Sequence, residues 1–303
     1  MSRTNRFALF IIIPATTIAL FLQRAPLTMT TTPESPKSPW ADRPCKLVPT
    51  PQYLTNKTDI WTTGATHMAH IHNAILRGYN SVYLQAPHVE DADKAAFVGY
   101  ALTWFRFVKS HHDDEEEQLF PKVAELLGST DASLWAETHK EHEAFLSGLA
   151  EYSAYLESLK TRTDFDGRRL RAIMESFQEP FEKHFHSEIS TISSFSSLPS
   201  APSPGSEKEA DAAAVFRAWG KKTVTKAGTT DVVPFFLMNL DATYEEGRWA
   251  SWPPMPAPVR WGLVNLAGSW NWRWWKFASC DSRGQPRELY ALGNEEIKTK
   301  AQV

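Results

Sequence analysis

The sequence is poor in cysteine, with only Cys45 and Cys280 in 303 residues. These two residues are far apart and match no paired metal-ligand spacing, which excludes a disulfide framework and a thiolate zinc site. The sequence also lacks an excess of either sign of charge, because its formal net charge is only -3. We therefore expect no nucleic acid as a partner and a reducing compartment.

Long hydrophobic runs are rare as well, and the candidate lies at residues 7–22, where Pro14 interrupts about 16 mostly apolar residues. This length is near the lower limit for crossing a bilayer. Residues 1–28 are therefore read as an anchor, a signal segment, or a stretch that is not translated if synthesis starts at Met29. The chain is expected to be membrane-anchored if residues 7–22 are retained, and cytoplasmic if it starts at Met29. Membrane contact is predicted through residues 7–22 only.

The remaining chain divides by composition. Residues 29–61 are rich in Pro, Ser and Thr, which predicts an extended lead-in. Four helical patterns follow within residues 62–195, at about 66–86, 93–127, 132–160 and 167–195. Short connections between them predict an all-α, up-down-up-down four-helix bundle. Residues 196–206 resemble a linker, and residues 207–303 are expected to form a Trp- and Pro-rich, partly helical lobe that packs on the bundle.

Prolines and tryptophans add local expectations. Pro121 and Pro180 are each expected to kink the helix that contains them, because proline provides no N–H for the helical hydrogen bond. Seven of the 12 tryptophans lie between Trp249 and Trp275. The segment "PVRWGLVNLAGSWNWRWWKF" within this region suits either an interfacial membrane segment or an aromatic cover over the bundle, and we favour the cover.

Polar residues interrupt the apolar face of every one of the four helices. An unpartnered buried polar group costs about 1 to 3 kcal/mol, so something must satisfy them. A single histidine on such a face is usually an ordinary hydrogen-bonded core residue, but four faces that each carry one favour a shared metal site. The predicted ligands are His72, His112, Glu116, His142, His184 and Glu188, with His139 as a further candidate.

The segment "KSHHDDEEEQLFP" leaves an alternative open. His112 and Glu116 are four residues apart and share one side of the helix. His111 and Glu115 have the same spacing and would face the site instead if the helix were rotated. Histidine nitrogen with carboxylate oxygen, and no thiolate, suits iron, manganese or zinc, and two carboxylates are able to bridge two cations.

Four segments in order, "HNAILRGYNSVYLQAP", "HHDDEEEQLFP", "THKEHEAFLSGL" and "HFHSEI", resemble the signatures of the hemerythrin-like, or HHE cation-binding, family. The resemblance covers residues 62–195. It implies a non-heme di-iron centre with the six predicted ligands, in which both glutamates bridge the irons.

The resemblance also has two departures from the oxygen-carrying members. Thr138 stands where those proteins have a third-helix histidine, and Glu188 replaces an aspartate that lies one position further on. The pattern is closer to family members that respond to oxygen, nitric oxide or redox state.

We therefore predict a metal-binding, oxygen- or redox-responsive module without dedicated catalysis, whose partners are metal ions and dioxygen, nitric oxide or peroxide. The alternative is a di-iron oxidoreductase that acts on peroxide or dioxygen. No histidine has a glutamate three residues before it, which excludes the paired Glu-x-x-His motifs of ferritin-like di-iron proteins.

Overall fold

A computed structural model describes residues 40–293 of the chain. This part is mostly helical and contains no β-strand, which confirms the all-α class. Its helices are α1 (Pro51–Thr55), α2 (Ile60–Gln85), α3 (Lys94–Asp114), α4 (Phe120–Leu126), α5 (Asp131–Leu134), α6 (Ala136–Glu157), α7 (Gly167–Ser194), α8 (Glu207–Ala227), α9 (Val232–Leu237) and α10 (Ala257–Asn265). Within residues 40–293, no helix has both the length and the apolar character needed to cross a bilayer. The apolar stretch at residues 7–22 lies outside the described residues.

The four long helices pack through their apolar sides. Helix α7 contacts both α2 and α6, and α3 contacts α2 and α6 in turn. Aromatic side chains fill the space between them, such as Tyr79 stacked on Phe181 with ring centroids 5.5 Å apart. The apolar positions that the three- and four-residue spacing assigns to α2, α6 and α7 are buried. The helical period therefore locates the core correctly on these elements.

Capping determines where α2 and α7 begin. The Asp59 side chain accepts hydrogen bonds from the backbone N–H groups of Trp61 and Thr62, at 3.1 and 3.0 Å. Asp166 does the same at the start of α7. Each such cap contributes about 1 kcal/mol to helix stability. Because of the Asp59 cap, α2 begins six residues before the predicted start at residue 66.

The second predicted helix, residues 93–127, is interrupted. A π-helical turn, Glu115–Leu119, joins α3 to α4, and the Phe120 N–H donates to the Glu115 carbonyl five residues back. Pro121 follows directly and has no N–H to continue the α-helical ladder. The predicted irregularity therefore lies before Pro121, within the acidic run. Helix α7, in contrast, continues through Pro180.

Two asparagines on α2 hold the segment that precedes α1. The Asn80 side chain binds the backbone N–H and carbonyl of Cys45, and Asn73 binds those of Val48. These bonds satisfy the backbone of a chain segment that forms no helix between residues 40 and 50. The predicted extended lead-in thus lies against α2 here, and it also contains the short helix α1.

The part of the chain after residue 206 shares the core of the long helices. Helix α8 contacts α2, α3 and α4, and α9 contacts α2 and α3. Ser81 and Gln85 on α2 both donate hydrogen bonds to the Phe277 carbonyl. All described residues accordingly belong to one compact unit.

Candidate metal centre

Seven histidine and glutamate side chains meet between α2, α3, α6, α7 and the π-turn. Two come from consecutive positions at the end of α3, and Glu115 opens the π-turn. None of the seven is more than 5% exposed. They are His72, His111, His112, Glu115, His142, His184 and Glu188.

The seven side chains form two groups that share Glu115. In one group, ligand atoms of His112, Glu115, His142 and His184 all lie within 4.8 Å of one another. In the other, the same holds for His72, His111, Glu115 and Glu188. A carboxylate has two oxygens, so Glu115 is able to serve both groups. We call these the histidine-rich cluster and the carboxylate-rich cluster.

Short distances connect the two clusters through their carboxylates. Glu115 Oε1 lies 2.9 Å from His111 Nε2, and its Oε2 lies 3.9 Å from His142 Nε2. Glu188 Oε2 is 3.2 Å from His72 Nε2 and 3.7 Å from His184 Nε2. Both carboxylates therefore face histidines of both clusters, as bridging ligands would.

The ring orientation of three histidines is set by what Nδ1 contacts. The Nδ1 of His72 pairs with the Phe185 carbonyl at 2.9 Å, and that of His112 with the Val108 carbonyl at 3.0 Å. His142 uses Nδ1 to contact Glu116 Oε1 at 2.5 Å. A carbonyl or carboxylate oxygen is a hydrogen-bond acceptor, so Nδ1 carries the proton and donates it, and Nε2 keeps a free lone pair.

The inward atoms of both clusters make no hydrogen bonds. The Nε2 atoms of all five histidines and both oxygens of Glu115 and Glu188 are buried without a hydrogen-bond partner. Each such group costs about 1 to 3 kcal/mol when left unpaired. Lone pairs that converge without donors are satisfied by a cation, so this set of nitrogen and oxygen atoms fits metal ions.

Electrostatics of the metal-free site point the same way. Burial, reinforced by neighbouring histidines, lowers the pKa of His111, His112 and His184 well below the usual value, which keeps these rings neutral and able to ligate. Burial and the nearby charge of Glu188 raise the pKa of Glu115 well above its usual value. A bound cation would provide the positive charge that stabilises the ionised form of Glu115.

Five of the predicted side chains lie in the clusters: His72, His112, His142, His184 and Glu188. The predicted Glu116 and His139 lie outside these two clusters and form a third group of ligand atoms with His142, whereas His111 and Glu115 lie within the two clusters. Sequence spacing had offered His111 or His112 as alternatives, whereas the structure buries both. The buried glutamate is Glu115, because it begins the wider π-turn and does not continue the regular helix.

Glu116 and His139 form a separate arrangement on the outer side of His142. Glu116 is 39% exposed, and its carboxylate contacts the Nδ1 atoms of His139 and His142 at 3.0 and 2.5 Å. Its partial burial would raise the pKa, but hydrogen bonds from His142 and His139 outweigh this and lower it. Glu116 therefore remains charged and holds the His142 ring with Nε2 directed at Glu115.

Aromatic rings and α8 close off the clusters. Phe185 lies edge-on to His72 at 4.5 Å between centroids, and Trp219 of α8 lies 5.7 Å from His111. Lys226 at the end of α8 forms a 2.9 Å ion pair with Asp114, the residue before Glu115. The part of the chain beyond residue 206 thus contributes to the walls of the site.

Comparisons with known proteins identify the family of this chain. Residues 63–193 match the model of the hemerythrin HHE cation binding domain. The chain is also 31% identical over 280 residues to the dimeric xanthone biosynthesis cluster protein R11 of Cryptosporiopsis sp. (strain 8999), a match that covers 88% of this chain and 98% of the relative. No solved structure gives a significant match. The chain belongs to the hemerythrin HHE cation-binding family.

Proposed function

We propose that the chain is a non-heme di-iron protein, with one iron ion in the histidine-rich cluster and one in the carboxylate-rich cluster. Helices α2, α3, α6 and α7 would form the up-down-up-down bundle that surrounds the pair. The observation that supports this most directly is the convergence of five Nε2 atoms and four carboxylate oxygens without hydrogen-bond partners. A single cation would leave one cluster unsatisfied, which favours two.

The ligand types favour iron over other cations. Five imidazole nitrogens with two carboxylates match the preferences of iron, zinc and manganese and contain no thiolate for copper(I). Family membership adds iron to this chemistry as the expected metal. When bound, an iron pair supplies one-electron redox steps and coordination positions for small oxygen or nitrogen molecules.

The residues of the chain have distinct roles in this proposal. Glu115 and Glu188 would hold the two ions between the clusters and compensate their charge. The Phe185 and Val108 carbonyls fix the His72 and His112 rings, and Glu116 fixes His142. Such outer contacts orient the ligands and make the imidazoles more basic.

Burial restricts what reaches the centre. Since none of the seven side chains is more than 5% exposed, a molecule that binds there in this conformation must be small, such as dioxygen, nitric oxide or peroxide. This supports an oxygen- or redox-responsive role. The alternative, a di-iron oxidoreductase that acts on dioxygen or peroxide, is supported by the name of the relative, which assigns that protein to a biosynthesis cluster.

Metal analysis after anaerobic iron loading tests the centre. We expect two iron ions per chain, one for each cluster. His184→Ala should remove iron, because its ring contributes to the histidine-rich cluster. His88→Ala provides the control, since His88 lies outside both clusters. An iron content near zero in the wild-type chain, or equal losses in both variants, would refute the proposal.

Cycling the loaded protein between air and vacuum separates the two functions. A visible absorption band that returns on each cycle indicates reversible binding of dioxygen. A band that appears once and returns only after a reductant is added indicates a redox-responsive centre. Steady consumption of peroxide or dioxygen with a reductant would establish the oxidoreductase alternative.

A further inference from the structure

Large apolar side chains are exposed along one segment near the end of the described chain. We call the five most exposed of them, which are given below, the Trp surface. Trp270 is 86% exposed, and the other members range from 48% to 68%. The set consists of Val259, Trp261, Leu266, Trp270 and Trp272. Exposed apolar side chains are common singly, but a concentration of this kind marks a binding surface.

Helix α10 shows why the surface needs a partner. Val264 faces the protein and is buried, and the helix contacts α9 on that side. The same helix also exposes Val259 and Trp261, which flank the buried position on either side, so apolar residues extend around most of the helix. A helix with this pattern is normally covered on every side. The exposed side chains of this helix are therefore expected to contact an apolar partner.

The charge of the surrounding residues indicates what kind of partner binds the Trp surface. Residues 247–280 contain four basic residues and no aspartate or glutamate. Lys276 pairs with Asp93 and Arg260 donates to the Leu237 carbonyl, so Arg248 and Arg273 are the exposed cations of this segment. Arg273 lies over the Trp272 ring, with its guanidinium carbon 5.5 Å from the ring centroid. Tryptophan rings favour the zone between lipid headgroups and acyl chains, and basic residues beside them bind anionic headgroups.

We propose that the Trp surface is a peripheral docking site for an anionic lipid bilayer. The exposed rings would lie at the level of the headgroups, with Arg273 against their phosphates. This contact is separate from residues 7–22 and does not depend on metal occupancy. The sequence offered an interfacial membrane segment here as the alternative to the favoured aromatic cover, although membrane contact was predicted through residues 7–22 only.

Quenching of tryptophan fluorescence by lipids brominated on the acyl chain tests the docking site in the full chain. Residues 1–39 contain no tryptophan, so an anchor at residues 7–22 would add no quenchable fluorescence of its own. The probes are vesicles of phosphatidylcholine alone and of phosphatidylcholine mixed with phosphatidylserine. We expect quenching with the mixed vesicles. Arg273→Gln should reduce binding to them about fivefold and leave binding to neutral vesicles unchanged.

A double substitution with a matched control completes the experiment. Trp270→Ser with Trp272→Ser should abolish quenching of the tryptophans that remain, including Trp261, whereas Leu146→Ser, at an exposed leucine on α6, should not. Absence of quenching in the wild-type chain, or quenching unchanged in the double variant, would overturn the proposal. Concentration-dependent dimers that the double variant abolishes, without vesicle binding, would identify the surface as a self-association site instead.

Discussion

Glu115 and Glu116 are adjacent and chemically identical, yet the structure assigns them opposite surroundings. Glu115 is buried within both clusters, whereas Glu116 is 39% exposed and holds His142 from outside. Substituting each with glutamine removes one charge at almost constant volume. The two variants should therefore separate a bridging ligand from an orienting residue.

The expected magnitude follows from the spacing of the carboxylates. Glu115 and Glu188 place ligand oxygens within 4.8 Å of one another. At an effective dielectric constant of about 20, two charges at that distance repel by about 3.5 kcal/mol. Partial protonation of Glu115, whose pKa is raised by burial and by Glu188, avoids some of this cost. Metal-free Glu115→Gln should thus be more stable than wild type by about 1 to 3 kcal/mol.

Metal reverses the sign of this effect. A cation stabilises the folded chain only as strongly as it binds. A 100-fold loss of affinity removes about 2.7 kcal/mol for each ion, or about 5.4 kcal/mol for two ions that share Glu115. Loaded Glu115→Gln should therefore be less stable than loaded wild type. Glu116→Gln should retain its metal at saturating concentration, with an affinity only about 10-fold weaker than in the wild type.

Chemical denaturation with and without a chelator, together with metal analysis, checks these expectations. The reasoning fails if Glu115→Gln keeps full metal content, or if Glu116→Gln loses more metal than Glu115→Gln. It also fails if the metal-free Glu115→Gln chain is less stable than wild type, because another group would then have to stabilise the Glu115 charge in the absence of metal.

Two further predictions concern positions outside the clusters. His70 lies between Trp249 and Trp252, and its burial lowers its pKa to about 3. Because the unfolded chain binds this proton below about 6.5 and the native chain only below about 3, the free energy of unfolding should fall on acidification by about 1.4 kcal/mol per pH unit in between. His70→Gln should flatten that slope in denaturation curves, whereas Leu146→Ser, which removes no titratable group, should not. Gly78→Ala would place a Cβ 2.7 Å from the Phe235 ring and should lower the free energy of unfolding by about 1 to 3 kcal/mol. Gly220→Ala in α8 has open space around it and should raise that free energy by up to about 1 kcal/mol. Unchanged melting temperatures in both variants would refute the packing argument.

Much of the fold was predictable from periodicity, because burial of one helical side imposes a spacing of three and four that the residues show directly. The bounds of α7 differ from the predicted 167–195 by a single residue at the end. The start of α2 was missed because the Asp59 cap lies before the regular pattern begins. The break at Trp135 between α5 and α6 likewise has no signal in the spacing.

The arrangement at the end of α3 was less predictable for a physical reason. Ideal α-helical geometry turns consecutive residues about 100° apart, so it favours either His111 or His112 on the inner side. The structure buries both, since one faces each cluster. The following π-turn then changes the register, and no residue in "DDEEEQ" marks where the wider turn begins. Pro121 was the available signal, as a residue that cannot continue the hydrogen-bond ladder.

The π-turn makes the number of consecutive glutamates structurally important, which their composition alone does not indicate. A π-helical turn holds one residue more than an α-helical turn, so the length of the run determines which side chains follow on the inner side. Deleting any one glutamate would yield the same shortened sequence and change the net charge by only one. The deletion would nevertheless rotate Leu119 and Phe120 relative to His111 and His112 and misalign the two ends of this segment. In this acidic run, the number of residues is therefore constrained more tightly than their charge.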